Sequence, residues 1–207
     1  TKLKSLVDGV MTDNLGDLTL GYGSPMLTFG SNDIQKLLAS GTNGRFIANG
    51  FETIAITTTG SPVTLSAVTS TELNKITVSG AHDLTLTEAV TASTVDASVF
   101  KGDLTLSTTS ASGHTITGGS GDDNITGGAS TDNISGGGGA DTITGGTGAD
   151  TLLGGTDNDN FIYLLTADLM TGKAKTDTSV IGGDGAVDKL TIGTNGTVFA
   201  IANDDVW

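Results

Sequence analysis

Apolar and polar residues alternate along this chain in short runs, with turn residues between the runs. Thr53 to Thr57, Val63 to Ala67, Lys75 to Ser79, Asp83 to Thr87 and Asp103 to Ser107 follow a period of two, which predicts short strands. A sandwich and a solenoid both fit that rhythm. From Gly118 to Ile162 the rhythm becomes a strict nine, opening with Gly118-Gly-Ser-Gly-Asp-Asp123-Asn-Ile125-Thr and running for five units. Asp123, Asp132, Asp141, Asp150 and Asp159 hold the sixth position of successive units, and Ile125, Ile134, Ile143, Leu152 and Phe161 hold the eighth. So short a period means stacked coils that bury a core only against their neighbours, which favours a solenoid for the flanking strands too. The expected fold class is all-β, a parallel β-solenoid with one or two short helices.

One helix is predicted where Asn32 or Asp33 can cap it, Ile34, Leu37 and Leu38 share a face, and Gly41 stops it. Thr166 to Met170 predicts another single turn. Four segments follow: 1–50, the end of a preceding solenoid unit with the helix; 51–117, solenoid strands; 118–162, the nonapeptide roll; 163–207, a connecting segment and the start of a next unit. The last assignment rests on a fainter recurrence. Asp17-Leu18-Thr19-Leu20-Gly21 resembles Asp188-Lys189-Leu190-Thr191-Ile192-Gly193, an offset of 172 residues from Leu18 to Leu190. With Thr1 rather than Met at the start, the chain is expected to be a piece of a longer repetitive protein.

Composition supports the strands: 32 glycines, 2 prolines and only 4% aromatics argue for many tight turns and few helices. The net charge of −14 makes nucleic acid and anionic membrane surfaces poor partners, and multivalent cations good ones. No apolar run approaches the length of a membrane span, so direct membrane insertion is not expected. There is no cysteine, hence no disulfide framework. Charge is also uneven. From Gly102 to Gly172 there are nine Asp and no Lys or Arg.

That zone carries the chemistry. Glycines at the first, second and often fourth positions let the backbone turn tightly and aim carbonyls inward. The aspartate at position six adds a hard anionic oxygen, and carbonyls with carboxylates are what calcium prefers. With two nonapeptides per coil, Asp123, Asp141 and Asp159 fall on one edge, Asp132 and Asp150 on the other. Neighbours on an edge are then about 4.8 Å apart, a spacing at which bare carboxylates repel and a cation reverses the sign. Three complete sites are expected, and so at least three calcium ions: Asp123 with Asp141, Asp141 with Asp159, Asp132 with Asp150. His114 takes the aspartate's place one unit earlier and is expected to start the ladder. Asp168 keeps the nine-residue phase without the glycines, and Gly182 to Asp188 is a variant turn with one extra residue that could form an isolated site.

Other chemistry has less support. A flexible glycine linker does not explain aspartates in phase, and a metal-free β-helix leaves them without a role. His82 and His114 are the only histidines, so no zinc-protease motif exists, and a serine triad would need one of them in a pocket. Thr-x-Thr pairs such as Thr85/Thr87 and Thr142/Thr144 suggest ice binding, but the outward positions are mixed rather than uniformly Thr. No enzyme is expected.

The segment Gly118 to Ile162 resembles the repeats-in-toxin (RTX) family, whose nonapeptides form a calcium-bound parallel β-roll. The resemblance implies export from Gram-negative bacteria by type I secretion, unfolded in a low-calcium cytoplasm and folding outside. It also implies a ligand set: the five position-six aspartates together with carbonyls of the turns at Gly119, Gly121, Gly128, Gly137, Gly139, Gly146, Gly148 and Gly155. Ser130 and Asp157 depart from the glycine at position four. More softly, Gly50 to Ile56, Val95 to Gly102 and Asp188 to Thr191 resemble repeating units of Gram-negative surface-layer proteins and large biofilm adhesins. The expectation is a non-enzymatic structural segment of a surface-layer protein on the cell surface, partnered by calcium and by other copies of the same protein. An adhesin module for a glycan or a cell, or the folding and secretion module of an exported enzyme or toxin, is the alternative.

Overall fold

The computed structural model describes residues 8–11, 18–20, 34–41, 44–108, 112–163, 179–184, 187–192 and 197–201. All regular structure among them is β, and no helix there is long and apolar enough to cross a membrane. One wall is a nine-stranded sheet in the order β1 (Asp8–Met11), β3 (Ile34–Ala39), β5 (Thr53–Thr58), β8 (Lys75–Gly80), β10 (Thr94–Asp96), β12 (Thr115–Thr117), β14 (Asn133–Gly138), β16 (Thr151–Thr156), β18 (Ser179–Gly183). The facing wall has eight strands: β6 (Val63–Leu65), β9 (Leu84–Leu86), β11 (Leu104–Ser107), β13 (Asn124–Thr126), β15 (Thr142–Thr144), β17 (Asn160–Tyr163), β19 (Asp188–Ile192) and β20 (Thr197–Ile201). A third, three-stranded sheet joins β2 (Leu18–Leu20), β4 (Phe46–Ala48) and β7 (Val68–Thr69). Every pairing is parallel except that of β19 with β20. The chain is a parallel β-solenoid.

Parallel strands stacked coil on coil place like positions above one another. Ile54, Ile76, Val95, Ile116, Ile134, Leu152 and Val180 form one buried column through successive registers of the long wall. Leu106, Ile125, Ile143, Phe161 and Leu190 form the column opposite. The eighth-position residues of all five nonapeptides are fully buried. In those nonapeptides one inward side chain per three-residue strand suffices, because the turns on either side are close enough to leave no room for more. Earlier coils are wider: Thr57 and Ser79, side by side, are 22 residues apart, whereas Asp123 and Asp141 are 18 apart. The third wall and the large buried rings of Phe46 and Phe100 fill the extra width.

The predicted helix at Ile34 is a strand. Burial along β3 alternates, with Gln35, Leu37 and Ala39 inward and Ile34 and Leu38 outward at 55% and 39% exposure. The adjacent pair Leu37-Leu38 mimics a helical stripe, and the inward polar Gln35 hides the period of two. Six residues of β3 pair in register with β5, so a helix here would leave the β5 edge without partners. Gly41 still ends the element, with φ of 75°, where a side chain would be strained. Thr166 to Met170 lies outside the described residues. The two copies of the faint long recurrence occupy different walls, Leu18–Leu20 beside β4 and Leu190–Ile192 beside β17.

Two substitutions distinguish strand from helix at β3. Leu37→Lys should unfold this end of the solenoid or cost several kcal/mol, while Leu38→Lys should change stability by no more than about 0.5 kcal/mol. Chemical denaturation in calcium checks it; equal damage from both would restore the helical stripe.

Candidate metal centre

Each Gly-Gly-x-x-x-Asp turn of the roll folds its aspartate carboxylate back beneath its own first glycine. A β-carbon at Gly118, Gly127, Gly136, Gly145 or Gly154 would collide with the Oδ2 of Asp123, Asp132, Asp141, Asp150 or Asp159 respectively. All five carboxylates are at most 1% exposed. Their Oδ1 atoms bind the coils together. The Asp123 N–H donates to Asp141 Oδ1 (2.8 Å), and the Asp141 N–H to Asp159 Oδ1 (2.9 Å). On the other edge the Asp132 N–H donates to Asp150 Oδ1 (2.8 Å). The structure therefore brings Asp123, Asp141 and Asp159 together, and separately Asp132 and Asp150.

The second edge begins at His114. Its N–H donates to Asp132 Oδ1 (2.8 Å) and its ring Nδ1 lies 3.1 Å from the same oxygen, with both side chains buried. On the first edge the head is the Leu104 N–H, which donates to Asp123 Oδ1 (2.8 Å). The far end of that edge is Asp188, which sequence reasoning treated as isolated. Its Oδ1 accepts the Asp159 N–H at 2.8 Å, as a further rung. The signal was present in the Gly182-Gly183 pair, but the extra residue before Asp188 broke the count of nine. A second, exposed ladder was also missed. Asp83, Asp103 and Asp122 accept the N–H groups of Asp103, Asp122 and Ala140 at 3.0, 2.8 and 2.8 Å. Its signal is the repeated Asp-Leu-Thr-Leu at Asp83 and Asp103.

The turns take two forms. In the first turn of each edge the second glycine, Gly119 or Gly128, donates its N–H to its own aspartate's Oδ2 at 2.7 and 2.8 Å. In later turns the second glycine is left-handed, with φ of 119° at Gly137, 105° at Gly146 and 127° at Gly155. Gly139 and Gly148, at position four, are left-handed as well. Asp157 is forced into the same region at 76°, a conformation that Asp tolerates better than most residues. Ser130 and Gly121 are not left-handed; a β-carbon at Gly121 would lie 2.5 Å from the Gly102 carbonyl oxygen, so the turn stacks backbone on backbone.

At Asp141 and Asp159 the carboxylate loses this donor. Oδ2 of Asp141 and Oδ2 of Asp159 are buried and accept no hydrogen bond. Beside each lies a carbonyl oxygen. A β-carbon at Gly136 would meet both Asp141 Oδ2 and, at 2.8 Å, the Gly154 carbonyl oxygen from the next coil. Glycine thus keeps open a cradle walled by a carboxylate and a carbonyl. Two negatively polarised oxygens lie together there, the carboxylate oxygen without a donor, an arrangement that suits a hard cation. Among the described residues no three His, Asp or Glu side chains converge to hold a metal by themselves, so carbonyls must complete the shell. The residues fit calcium, and Asp123, Asp132, Asp141, Asp150, Asp159 and the turn carbonyls would hold it. Asp168 lies outside the described residues.

Electrostatics agree in direction. Asp141 is pushed up to about 8, Asp159 to about 7 and Asp123 to about 6, from an ordinary 3.8. Burial is the largest cause in each, ahead of repulsion from neighbouring carboxylates. The sequence reading had put repulsion first; desolvation dominates because each turn closes over its own carboxylate. With this geometry established, the comparisons are consistent with it. The model of the RTX calcium-binding nonapeptide repeat (4 copies) matches residues 115–143 and 126–161. No curated protein and no solved structure matches the chain.

Among the described residues Asp141 lies between two aspartates of its ladder, and Asp150 is bonded to one, Asp132. Asp141→Ala should therefore remove more bound calcium than Asp150→Ala, measured by equilibrium dialysis; equal losses would contradict the two-edge arrangement. A pH dependence follows as well. The metal-free roll binds more protons than the unfolded chain between about pH 4 and pH 8, because its carboxyl pKa values are raised. Acid should then stabilise the metal-free roll, and that stability should vanish as pH climbs through 6 to 8. Circular dichroism in chelator should show more β-signal at pH 5 than at pH 8. In calcium the preference for acid should be lost, because the metal displaces those protons.

Proposed function

We propose that this chain is a calcium-stabilised structural segment of a bacterial surface-layer protein, exported by type I secretion and assembled with other copies into a two-dimensional array on the cell surface. The RTX repeat is a structural calcium-binding module found typically in secreted proteins. Buried carboxylates that need a cation make folding conditional on calcium, which suits a protein that must stay extended inside the cell and become rigid outside.

The observation that carries the array is the separation of charge on the solenoid. Thr64, Thr85, Thr105, Asn124, Thr142 and Asn160 stand in register along the outer face of the eight-stranded wall. This row is polar and uncharged as far as Asn160, beyond which Lys189 continues the register. The acidic side chains Asp83, Asp103, Asp122 and Asp157 gather instead at the turns. The uncharged stretch of this wall lets rods lie side by side without repulsion, and acidic edges can share calcium between neighbours. The His114 ring is buried beside Asp132 with 1% of its side chain exposed, so it is shielded from any substrate.

Electron microscopy of the full-length protein provides the test. Ordered sheets should form in calcium and disperse in chelator. Discrete monomers at high calcium and high protein concentration, with tight binding to a defined glycan, would replace the array with an adhesin.

A further inference from the structure

The first-edge ladder does not stop where the nonapeptides stop. We propose that Asp159, Asp188 and the Gly182 carbonyl form a calcium site of their own, joining the last nonapeptide to a loop outside the repeats. The proposal rests on the reading that the nonapeptide aspartates take calcium.

Asp188 lies beyond the matched segment, which ends at residue 161, and it is 29 residues from Asp159 instead of 18. Yet its carboxylate is placed as the others are. It is fully buried, its Oδ1 accepts the Asp159 N–H, and a β-carbon at Gly182 would collide with its Oδ2. Gly183, the second glycine of this turn, is left-handed with φ of 107°, as are Gly137 and Gly155. Oδ2 of Asp188 accepts no hydrogen bond, and neither does Oδ2 of Asp159.

The cradle repeats too. A β-carbon at Gly154 would meet Asp159 Oδ2 and, at 2.5 Å, the Gly182 carbonyl oxygen. The same two oxygens, one coil earlier, are Asp141 Oδ2 and the Gly154 carbonyl. Two buried carboxylate oxygens without donors, one of them beside the Gly182 carbonyl, need a cation here as much as within the repeats. The backbone around the site is already tied in: the Lys189 N–H donates to the Asp159 carbonyl (2.7 Å), and the Asp184 N–H to the Gly155 carbonyl (2.7 Å). Calcium would thus clamp the two ends of the long coil and seat β18 and β19 on the roll. Closing a longer loop adds only a slowly growing entropy cost, which one ion site can offset. Asp159, like Asp141, then belongs to two sites.

Calcium titration by calorimetry on the full chain tests this, comparing the unaltered protein with Asp188→Asn and Gly154→Ala. Asn keeps an oxygen for the Asp159 N–H but removes the anion; Ala keeps every carboxylate but fills the cradle. Asp188→Asn should bind one calcium fewer and Gly154→Ala at least one, because the new β-carbon also presses on Asp159 Oδ2, which both sites share. Amide exchange in calcium should show lost protection at Lys189 and Asp184 in Asp188→Asn, with Asn160, which donates to the Asp141 carbonyl (2.8 Å), still protected. Unchanged stoichiometry in both variants would overturn this site alone. An unaltered chain that binds no calcium would overturn it together with the reading beneath it.

Discussion

A carboxylate buried in a tight turn is the constraint on which the rest of this structure depends. Each one ties its coil to the previous coil through Oδ1, and at Asp141 and Asp159 the unpartnered Oδ2 lies beside a carbonyl of the next coil. Water cannot reach these groups, so either a proton or a metal must supply the positive charge. The glycines follow from this requirement. A side chain at the first position of a turn would occupy the cradle, and one at the second would run into the carbonyl of the coil below.

The core explains why the requirement is tolerated. In the nonapeptide coils it is two columns of single aliphatic side chains, ending on one side with Phe161. A core so thin buries little apolar area per residue and gives each coil little stability of its own. The earlier coils differ: Phe46, Phe51 and Phe100 are buried among them, and a third wall encloses them. The solenoid therefore changes its source of cohesion along its length, from apolar packing to an ionic ladder.

Much of this was legible in the sequence. Aspartates in strict phase imply two edges, and apolar residues two positions later imply the column. Regular alternation located β5, β8 and β11 to within a residue at each end. What escaped was what the local pattern disguised. Gln35 turned inward made β3 look helical, and only its neighbours on both sides make a strand obligatory. The short strand β10 is hidden as well, because Ala, Ser and Thr around Val95 give little contrast between inside and outside. Asp188 was seen but misplaced, since counting residues cannot show that a longer coil returns to the same edge. The rank of burial over repulsion needed the closed turns themselves.

Identical coils have a hidden weakness: translational degeneracy. Shifting one edge of the roll by 18 residues would set Ile on Ile and Asp on Asp again, so the repeats alone barely distinguish correct from slipped pairing. The irregular residues at the boundaries remove that ambiguity. His114 heads one ladder where an aspartate would allow another coil to dock, and the long coil before Asp188 cannot be mistaken for an 18-residue one. These two departures from the pattern work as fiducial marks for a structure otherwise made of interchangeable parts.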